Sequence, residues 1–156
     1  MLYDSGVAAT LYREQIVAQL AAALGPRAEI LEAYVFGSVA RGDNQLHSDL
    51  DIAVYVDREF LAREERVGFG GYPALLSTDL QQALRRSDID LVLLNRANPL
   101  LYHEVLRDGQ RVLSRDLAET TAREGYALSR YCDDVPRLQK LEAIQRARIN
   151  AGDFGR

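Results

Sequence analysis

The residues of this 156-residue chain whose types and spacing best suit chemistry lie between positions 37 and 51. Gly37 and Ser38 follow an apolar run, and after ten further residues come Asp49 and Asp51, separated by one leucine. Two acids at this spacing on a strand share one face and stand about 6.5–7 Å apart along the backbone. Such carboxylates repel each other unless a cation lies between them, and oxygen ligands favour a hard cation such as Mg²⁺. The acid pair therefore predicts a metal site on a strand.

The Gly37-Ser38 step predicts a place for phosphate oxygens. Glycine lets the backbone approach a ligand closely, and free backbone N–H groups together with the Ser38 hydroxyl can hold an anion. Arg41 lies three residues further on and can add a positive charge. A metal site beside a phosphate site indicates transfer of a nucleotidyl or phosphoryl group. The alternative interpretation is a glycine-serine turn followed by a strand whose acids face solvent.

Hydrophobic patterning predicts the elements that must position these residues. Apolar runs predict strands over residues 30–36, 49–56, 89–94 and 111–113. Helical spacing predicts helices over residues 11–24, 74–86, 99–107 and 116–131. A further helix is predicted to begin at about residue 60. We expect Thr10 to be the N-cap of the first helix. We expect the last helix to kink or restart at Pro136, because proline lacks a backbone N–H. The glycines between Val67 and Pro73 are interpreted as a surface loop, because no strand directly precedes them as a phosphate cradle requires.

Length, composition and charge describe one globular domain. The chain is 47% apolar and 27% charged, with 19 Lys+Arg, 23 Asp+Glu and a net charge of −4. The acidic balance argues against extended nucleic-acid binding, which uses many cations to neutralise phosphates. The single cysteine, Cys132, excludes an internal disulfide and a multi-cysteine zinc site. No membrane span or secretory signal is visible, so we expect no membrane partner and a cytoplasmic location.

The run GSVARGDNQLHSDLDIAVYV resembles the minimal nucleotidyltransferases of the polymerase-β superfamily, whose hallmark is Gly-Ser, a spacer and then Asp-x-Asp. The specific likeness is to MntA-type antitoxins, the partners of HEPN-domain toxins of the HepT type. It is dense over this run and extends loosely to about Gly109. The resemblance implies an α/β (α+β) fold, a small mixed β-sheet flanked by helices, with C-terminal helices. We expect residues 1–114 to form the nucleotidyltransferase core and residues 115–156 a helical extension of the same domain.

The resemblance also implies a reaction, namely Mg²⁺-dependent transfer of AMP from ATP to a tyrosine of a cognate toxin with which the chain forms a hetero-oligomer. Two Mg²⁺ ions are expected, and in the family a third carboxylate from a neighbouring strand helps to hold them or acts as a base. Asp90 is the counterpart of that acid because an apolar strand follows it directly, and Asp88, which has the same parity, is the alternative. The implied catalytic and metal residues are Asp49, Asp51 and Asp90, and the implied nucleotide-binding residues are Gly37, Ser38 and Arg41.

Two other functions stay open at this point. One is a binding module that neutralises a toxin by occlusion with a vestigial site, against which the intact Gly-Ser and Asp-x-Asp motifs speak. The other is a nucleotidyltransferase for a small molecule, of the aminoglycoside-modifying kind, which usually needs a longer chain or a dimer to build the acceptor pocket. Transfer of labelled AMP to a protein partner would separate these functions.

Overall fold

The computed structural model of the protein describes residues 5–42, 48–67 and 71–150. The strands within these residues are β1 (Ile30–Phe36), β2 (Leu50–Val56), β3 (Ile89–Leu93) and β4 (Gln110–Ser114). The helices are α1 (Ser5–Leu24), α2 (Gly37–Arg41), α3 (Arg58–Val67), α4 (Gly71–Leu84), α5 (Pro99–Asp108) and α6 (Leu117–Asn150), with a 3-10 turn at Leu94–Arg96. The strands form one sheet in the order β3–β2–β1–β4, in which β1 is antiparallel to β2 and β4 while β2 is parallel to β3. This mixed sheet flanked by helices confirms the predicted fold class.

One side of the sheet, here called the aliphatic face, carries branched apolar side chains. Ile52, Val54 and Val56 of β2 are fully buried there and pack with side chains from α1 and α4, among them Leu20 and Leu76. Alternate residues of a strand share a face, so every second position of β2 contributes to this layer. The aliphatic face with its helices forms the main hydrophobic core.

The opposite side, here called the polar face, is covered by α5 and α6. Tyr55 of β2 packs there with Tyr102 of α5 and Ala127 of α6. The same face holds Glu32, which is completely buried and accepts a hydrogen bond of 2.6 Å from the Arg123 Nε atom. A buried charge is stable in such a place only when it is paired, so the Glu32–Arg123 ion pair anchors α6 to the sheet.

Two local predictions about helices are wrong, namely that Thr10 caps the first helix and that the last helix restarts at Pro136. Helix α1 begins at Ser5, so Thr10 lies inside it and is not its N-cap; alanines at positions 8 and 9 favour extension of the helix upstream. Helix α6 runs without interruption from Leu117 to Asn150 with Pro136 inside it, so the C-terminal region is one helix and does not restart. Proline leaves the carbonyl four residues earlier without its N–H partner. That residue, Cys132, is exposed, and solvent can satisfy its carbonyl.

The remaining boundaries differ by a few residues. Asp49 lies immediately before β2, which begins at Leu50, and α4 begins at Gly71, three residues before its predicted start at position 74. Within the predicted loop from Val67 to Pro73, Val67 ends α3 and residues 71–73 belong to α4. Residues 68–70, which include two of the glycines, lie outside the described residues. No helix within the described ranges combines the length and apolar composition that crossing a bilayer requires.

Candidate active site

The Gly-Ser bend and the acid-bearing strand are in direct contact. Gly37 has a φ of 69°, in the left-handed region that favours glycine. A Cβ atom at this position would lie 2.0 Å from the Oδ2 atom of Asp51. Gly37 is needed both for its backbone conformation and for the room it leaves to the carboxylate. The register supports this contact, because Phe36 at the end of β1 is paired with Asp51 on β2.

The strand register also brings the acids together. Asp51 on β2 lies directly beside Asp90 on β3, and Asp49 precedes Asp51 by two residues. Burial raises the pKa of Asp51, the carboxylates of Asp90 and Asp49 raise it further, and the positive charge of Arg41 opposes them. An acid whose charged form is disfavoured by burial and by like charges has a high affinity for a cation. Asp49, Asp51 and Asp90 therefore form one electrostatic group.

The structure separates the two candidates for the third acid. Asp88 precedes β3 and forms an ion pair with Arg86, whose Nε atom donates a hydrogen bond of 2.9 Å to its Oδ1 atom. Asp90 lies inside β3, is exposed, and contributes to the raised pKa of Asp51. The strand register therefore places Asp90 directly beside Asp51, whereas the side chain of Asp88 is held by Arg86.

The two other predicted phosphate contacts lie on α2, directly after the bend. Ser38 is half-buried at the second position of this short helix, and Arg41 ends it. The Nη1 atom of Arg41 lies 3.5 Å from the Oδ2 atom of Asp108 at the end of α5. Asp108 accepts two further hydrogen bonds of 2.7 Å from Arg107, which lowers its pKa. Arg41 thus lies between Asp108 and the acid group.

Comparison with known proteins identifies the family. A family model described as "Polymerase beta, Nucleotidyltransferase" matches residues 18–118, about two thirds of the chain. The protein belongs to the polymerase-β nucleotidyltransferase family. The match covers the bend, all three acids and the whole sheet of this nucleotidyltransferase. The family membership supports nucleotidyltransferase activity.

Solved structures support the fold of this nucleotidyltransferase. It is similar to a chain of a toxin–antitoxin structure with AMP-PNP, at 22% identity and a TM-score of 0.53, over 88% of this chain and 98% of that one. A mutant of the MntA–HpeT toxin–antitoxin matches at 20% identity and a TM-score of 0.53, over 88% and 98%. A chain of the complex between a tri-AMPylated Shewanella oneidensis HEPN toxin and an MNT antitoxin matches at 22% identity and a TM-score of 0.50, over 91% and 99%. No curated protein matches the chain.

The acids of this nucleotidyltransferase have the donor chemistry that a hard divalent cation requires. They offer carboxylate oxygens as ligand atoms. Burial raises the pKa of Asp51, and so do the neighbouring carboxylates of Asp90 and Asp49, whose negative charge a cation would balance. Within the described residues, no group of three or more His, Cys, Asp or Glu side chains is already arranged around a metal position. Mg²⁺ keeps several waters and binds through one or two carboxylates plus substrate phosphates, so it does not need such a cage. The residues present therefore fit Mg²⁺.

Sequence reasoning missed Asp108. It is 67 residues from Arg41 in the chain, and no motif connects the two positions. The sequence placed a helix there, but the direction of α5 across the polar face is a tertiary property. Only that direction brings the end of α5 to the end of α2.

Proposed function

We propose that this nucleotidyltransferase transfers AMP from ATP to a tyrosine of a HEPN-type toxin and so acts as an antitoxin. The observation that carries the transfer is the arrangement at the bend, where Gly37 contacts Asp51 and the strand register sets Asp90 beside it. Phosphate-holding backbone and metal-binding carboxylates thus meet at one edge of the sheet. This is the combination that transfer of a nucleotidyl group from a nucleoside triphosphate requires.

In this proposal each residue of the site has a defined role. Asp49, Asp51 and Asp90 would hold Mg²⁺, which when bound neutralises the charge of the ATP phosphates. The backbone at Gly37, the Ser38 hydroxyl and the Arg41 guanidinium bind phosphate oxygens at the β/γ end of ATP. They fix the α-phosphorus in front of the acids, and such positioning supplies a large part of the rate enhancement.

The chemical step is an in-line displacement. The oxygen of the acceptor tyrosine attacks the α-phosphorus, a new P–O bond forms, and the bond between the α-phosphorus and the bridging oxygen breaks so that pyrophosphate leaves. The Asp90 carboxylate, which is exposed at the edge strand β3, accepts the proton of the tyrosine hydroxyl. The acceptor must therefore approach from the open side of β3.

The proposal of a toxin partner rests on the structural neighbours. Two of the matched chains come from structures described as toxin–antitoxin assemblies, one with AMP-PNP and one with a tri-AMPylated HEPN toxin. Nearly the whole length of those chains is covered, so their likeness extends beyond the motif to α6. In our proposal residues 1–114 form the catalytic core, and residues 115–156 extend the same domain. ATP and partner would meet in the cytoplasm.

The test is transfer of label from α-³²P-ATP to a co-expressed or purified HEPN partner in the presence of Mg²⁺. We expect label on a partner tyrosine, located by mass spectrometry after proteolysis. Asp90→Asn should reduce the rate at least about a hundredfold, because it removes both a metal ligand and the proton acceptor. Asp88→Asn is the matched control, because Asp88 lies two residues before Asp90 and alternate residues share a face. This variant should keep most of the transfer rate.

Two results would overturn the proposal in different ways. If the toxin is neutralised equally well by wild type and by Asp90→Asn without any label transfer, the protein acts by occlusion. If label passes to a small hydroxyl compound and not to the protein partner, the family assignment holds and the acceptor class is wrong. Equal loss of rate in the Asp88 and Asp90 variants would contradict the assignment of the third acid.

A further inference from the structure

A second concave site lies on the polar face, at the far end of β2 from the acids. It is a cavity of about 130 Å³ between the C-terminal end of β2, the start of α5 and the middle of α6. Tyr55 lines it, four residues after Asp51, which corresponds to about 13 Å along an extended strand. Ala53 between them is completely buried beneath α5. The cavity is therefore separate from the candidate active site.

The charged side chains that line this cavity are all positive. Its charged lining residues are Arg58, Arg123 and Arg130, and no acid lines it. Arg123 is balanced by ion pairs with Glu32 and Glu119. For Arg58 and Arg130 there is no carboxylate partner in the part of the chain that the structure describes. Two uncompensated guanidinium groups at one cavity favour an anion, and arginine is the residue best suited to phosphate.

The aromatic side chains of the cavity hold two of these arginines in place. The Nε atom of Arg58 donates a hydrogen bond of 2.7 Å to the Tyr55 hydroxyl. The guanidinium of Arg123 lies 4.9 Å from the centre of the Tyr55 ring. A side chain fixed before binding loses less conformational entropy when it contacts a ligand. The Nη groups of Arg58 are left to donate to a bound group.

One hydroxyl at the cavity is buried. Tyr102 lines the cavity with a side chain that is 7% exposed, and its hydroxyl has no hydrogen-bond partner among the residues that the structure describes. Leaving such a group unsatisfied is energetically costly, so native proteins rarely keep one without reason. An oxygen atom of a bound anion would accept a hydrogen bond from the Tyr102 hydroxyl.

The size of the cavity limits the ligand. Sites for drug-sized molecules usually measure roughly 300–1,000 Å³, and this cavity of about 130 Å³ is well below that range. We propose that it binds a phosphate dianion, free or as the end group of a small ester such as AMP. In this complex Arg58 and Arg130 bind the phosphate oxygens, and the Tyr102 hydroxyl donates to one of them. Nothing in the proposed AMP transfer requires this site.

The test is calorimetric titration of the full chain with inorganic phosphate and, separately, with AMP, both in EDTA. We expect saturable binding of one ligand per chain below about 10 mM. Arg58→Gln and Arg130→Gln should each weaken it about tenfold, and Tyr102→Phe about threefold, because each removes donors to the phosphate. Arg63→Gln is the matched control, an exposed arginine on α3 that does not line the cavity. It should bind like wild type.

A second measurement locates the ligand. Amide chemical shifts in a ¹H–¹⁵N spectrum should change at Asn95, Ala97 and Ala127, which line the cavity. Asp51→Asn should leave these changes intact, which distinguishes the cavity from the acid site. Equal affinity for phosphate and AMP identifies the phosphate group alone as the ligand, and tighter AMP binding identifies the ester. No saturation by about 10 mM, or wild-type affinity in both arginine variants, overturns the proposal.

Discussion

The two faces of the sheet are built from the same strands, but they differ in side chains and in burial. On the aliphatic face, the alternate residues of β2 are all branched apolar side chains, fully buried beneath α1 and α4. On the polar face the intervening residues run from Asp51 through Ala53 to Tyr55, and α5 and α6 cover only the middle of this row. The acids lie open at one end, and the arginine-lined cavity lies at the other.

This difference shows how one layer can supply stability while the other is free for chemistry. A fully buried aliphatic layer supplies most of the favourable free energy of folding. The polar face can then hold acids whose charged form is disfavoured by burial, such as Asp51, at a cost that the rest of the fold offsets. The comparison predicts that substitutions on the two faces separate activity from stability.

The largest expected effect is on activity, from Asp51→Asn. We expect transfer of labelled AMP to fall about a thousandfold, because Asp51 lies at the centre of the acid group. The melting temperature should not fall, since the change removes a carboxylate that is partly buried beside two others. Asp79→Asn, an exposed acid on α4 paired with Arg27, is the control and should keep its activity. A large loss of stability in the Asp51 variant would contradict the comparison.

A substitution on the aliphatic face should lower stability and leave the transfer rate nearly unchanged. Leu76 on α4 is completely buried in this layer, so Leu76→Ala should lower the free energy of unfolding by about 3 kcal/mol. Urea unfolding followed by circular dichroism measures this change. The transfer rate per folded molecule should stay within about twofold of wild type, since Leu76 is on the other side of the sheet from the acids. A rate that falls far more than the folded fraction would show that the faces are coupled.

The two glycines of the bend region sharpen the comparison further. Gly37 and Gly42 both have a positive φ, of 69° and 77°, so alanine strains the backbone at either position. A Cβ at Gly37 would displace the Asp51 carboxylate, whereas at Gly42 it meets nothing within 4 Å. We expect both variants to lose about 1–2 kcal/mol of stability. Only Gly37→Ala should lose activity, about thirtyfold, through the displaced acid. Equal rates in the two variants would contradict the role of the contact.

The smallest expected effect is a dependence of stability on pH, measured as melting temperature in EDTA. The pKa of Asp51 is raised in the folded state, so its protonated form stabilises the fold at low pH. That contribution is complete below the unfolded pKa of about 3.9 and is lost as the pH rises through the higher folded value. The melting temperature of Asp51→Asn should therefore exceed that of wild type by an amount that grows as the pH rises from about 4 through the folded pKa of Asp51. A difference in melting temperature between the two proteins that stays constant with pH would contradict the raised pKa of Asp51.

Much of the fold could be read from local patterns. The strands at 30–36 and 49–56 were predicted within one residue of β1 and β2, because their apolar side chains recur as a buried strand requires. Helix α6 could not be bounded in this way, because the effect of Pro136 depends on whether solvent reaches the freed carbonyl. The start of α1 was missed for a related reason, since Thr10 can serve as a cap or as an ordinary helical residue.

Some residues of the candidate site could likewise be predicted from local sequence patterns, and others could not. Gly37, Ser38, Asp49 and Asp51 are close in sequence, so their motif alone predicts phosphate and metal chemistry. The sequence favoured Asp90 over Asp88 as the third acid, and the register of β2 with β3 and the Arg86 ion pair support that prediction. Arg58 and Arg130 are far apart in sequence, and their common cavity exists only because α6 crosses the end of β2.

The sequence by itself determined the family, the acid pair and most of the strands and helices, since these follow from residue types at short spacings. The tertiary structure alone decided that Gly37 makes room for Asp51, that Asp90 lies directly beside Asp51, and that Asp108 approaches Arg41. The physical reason is that local patterns fix backbone geometry over a few residues. Contacts between distant residues depend on strand register and helix direction, which are set by packing of the whole chain.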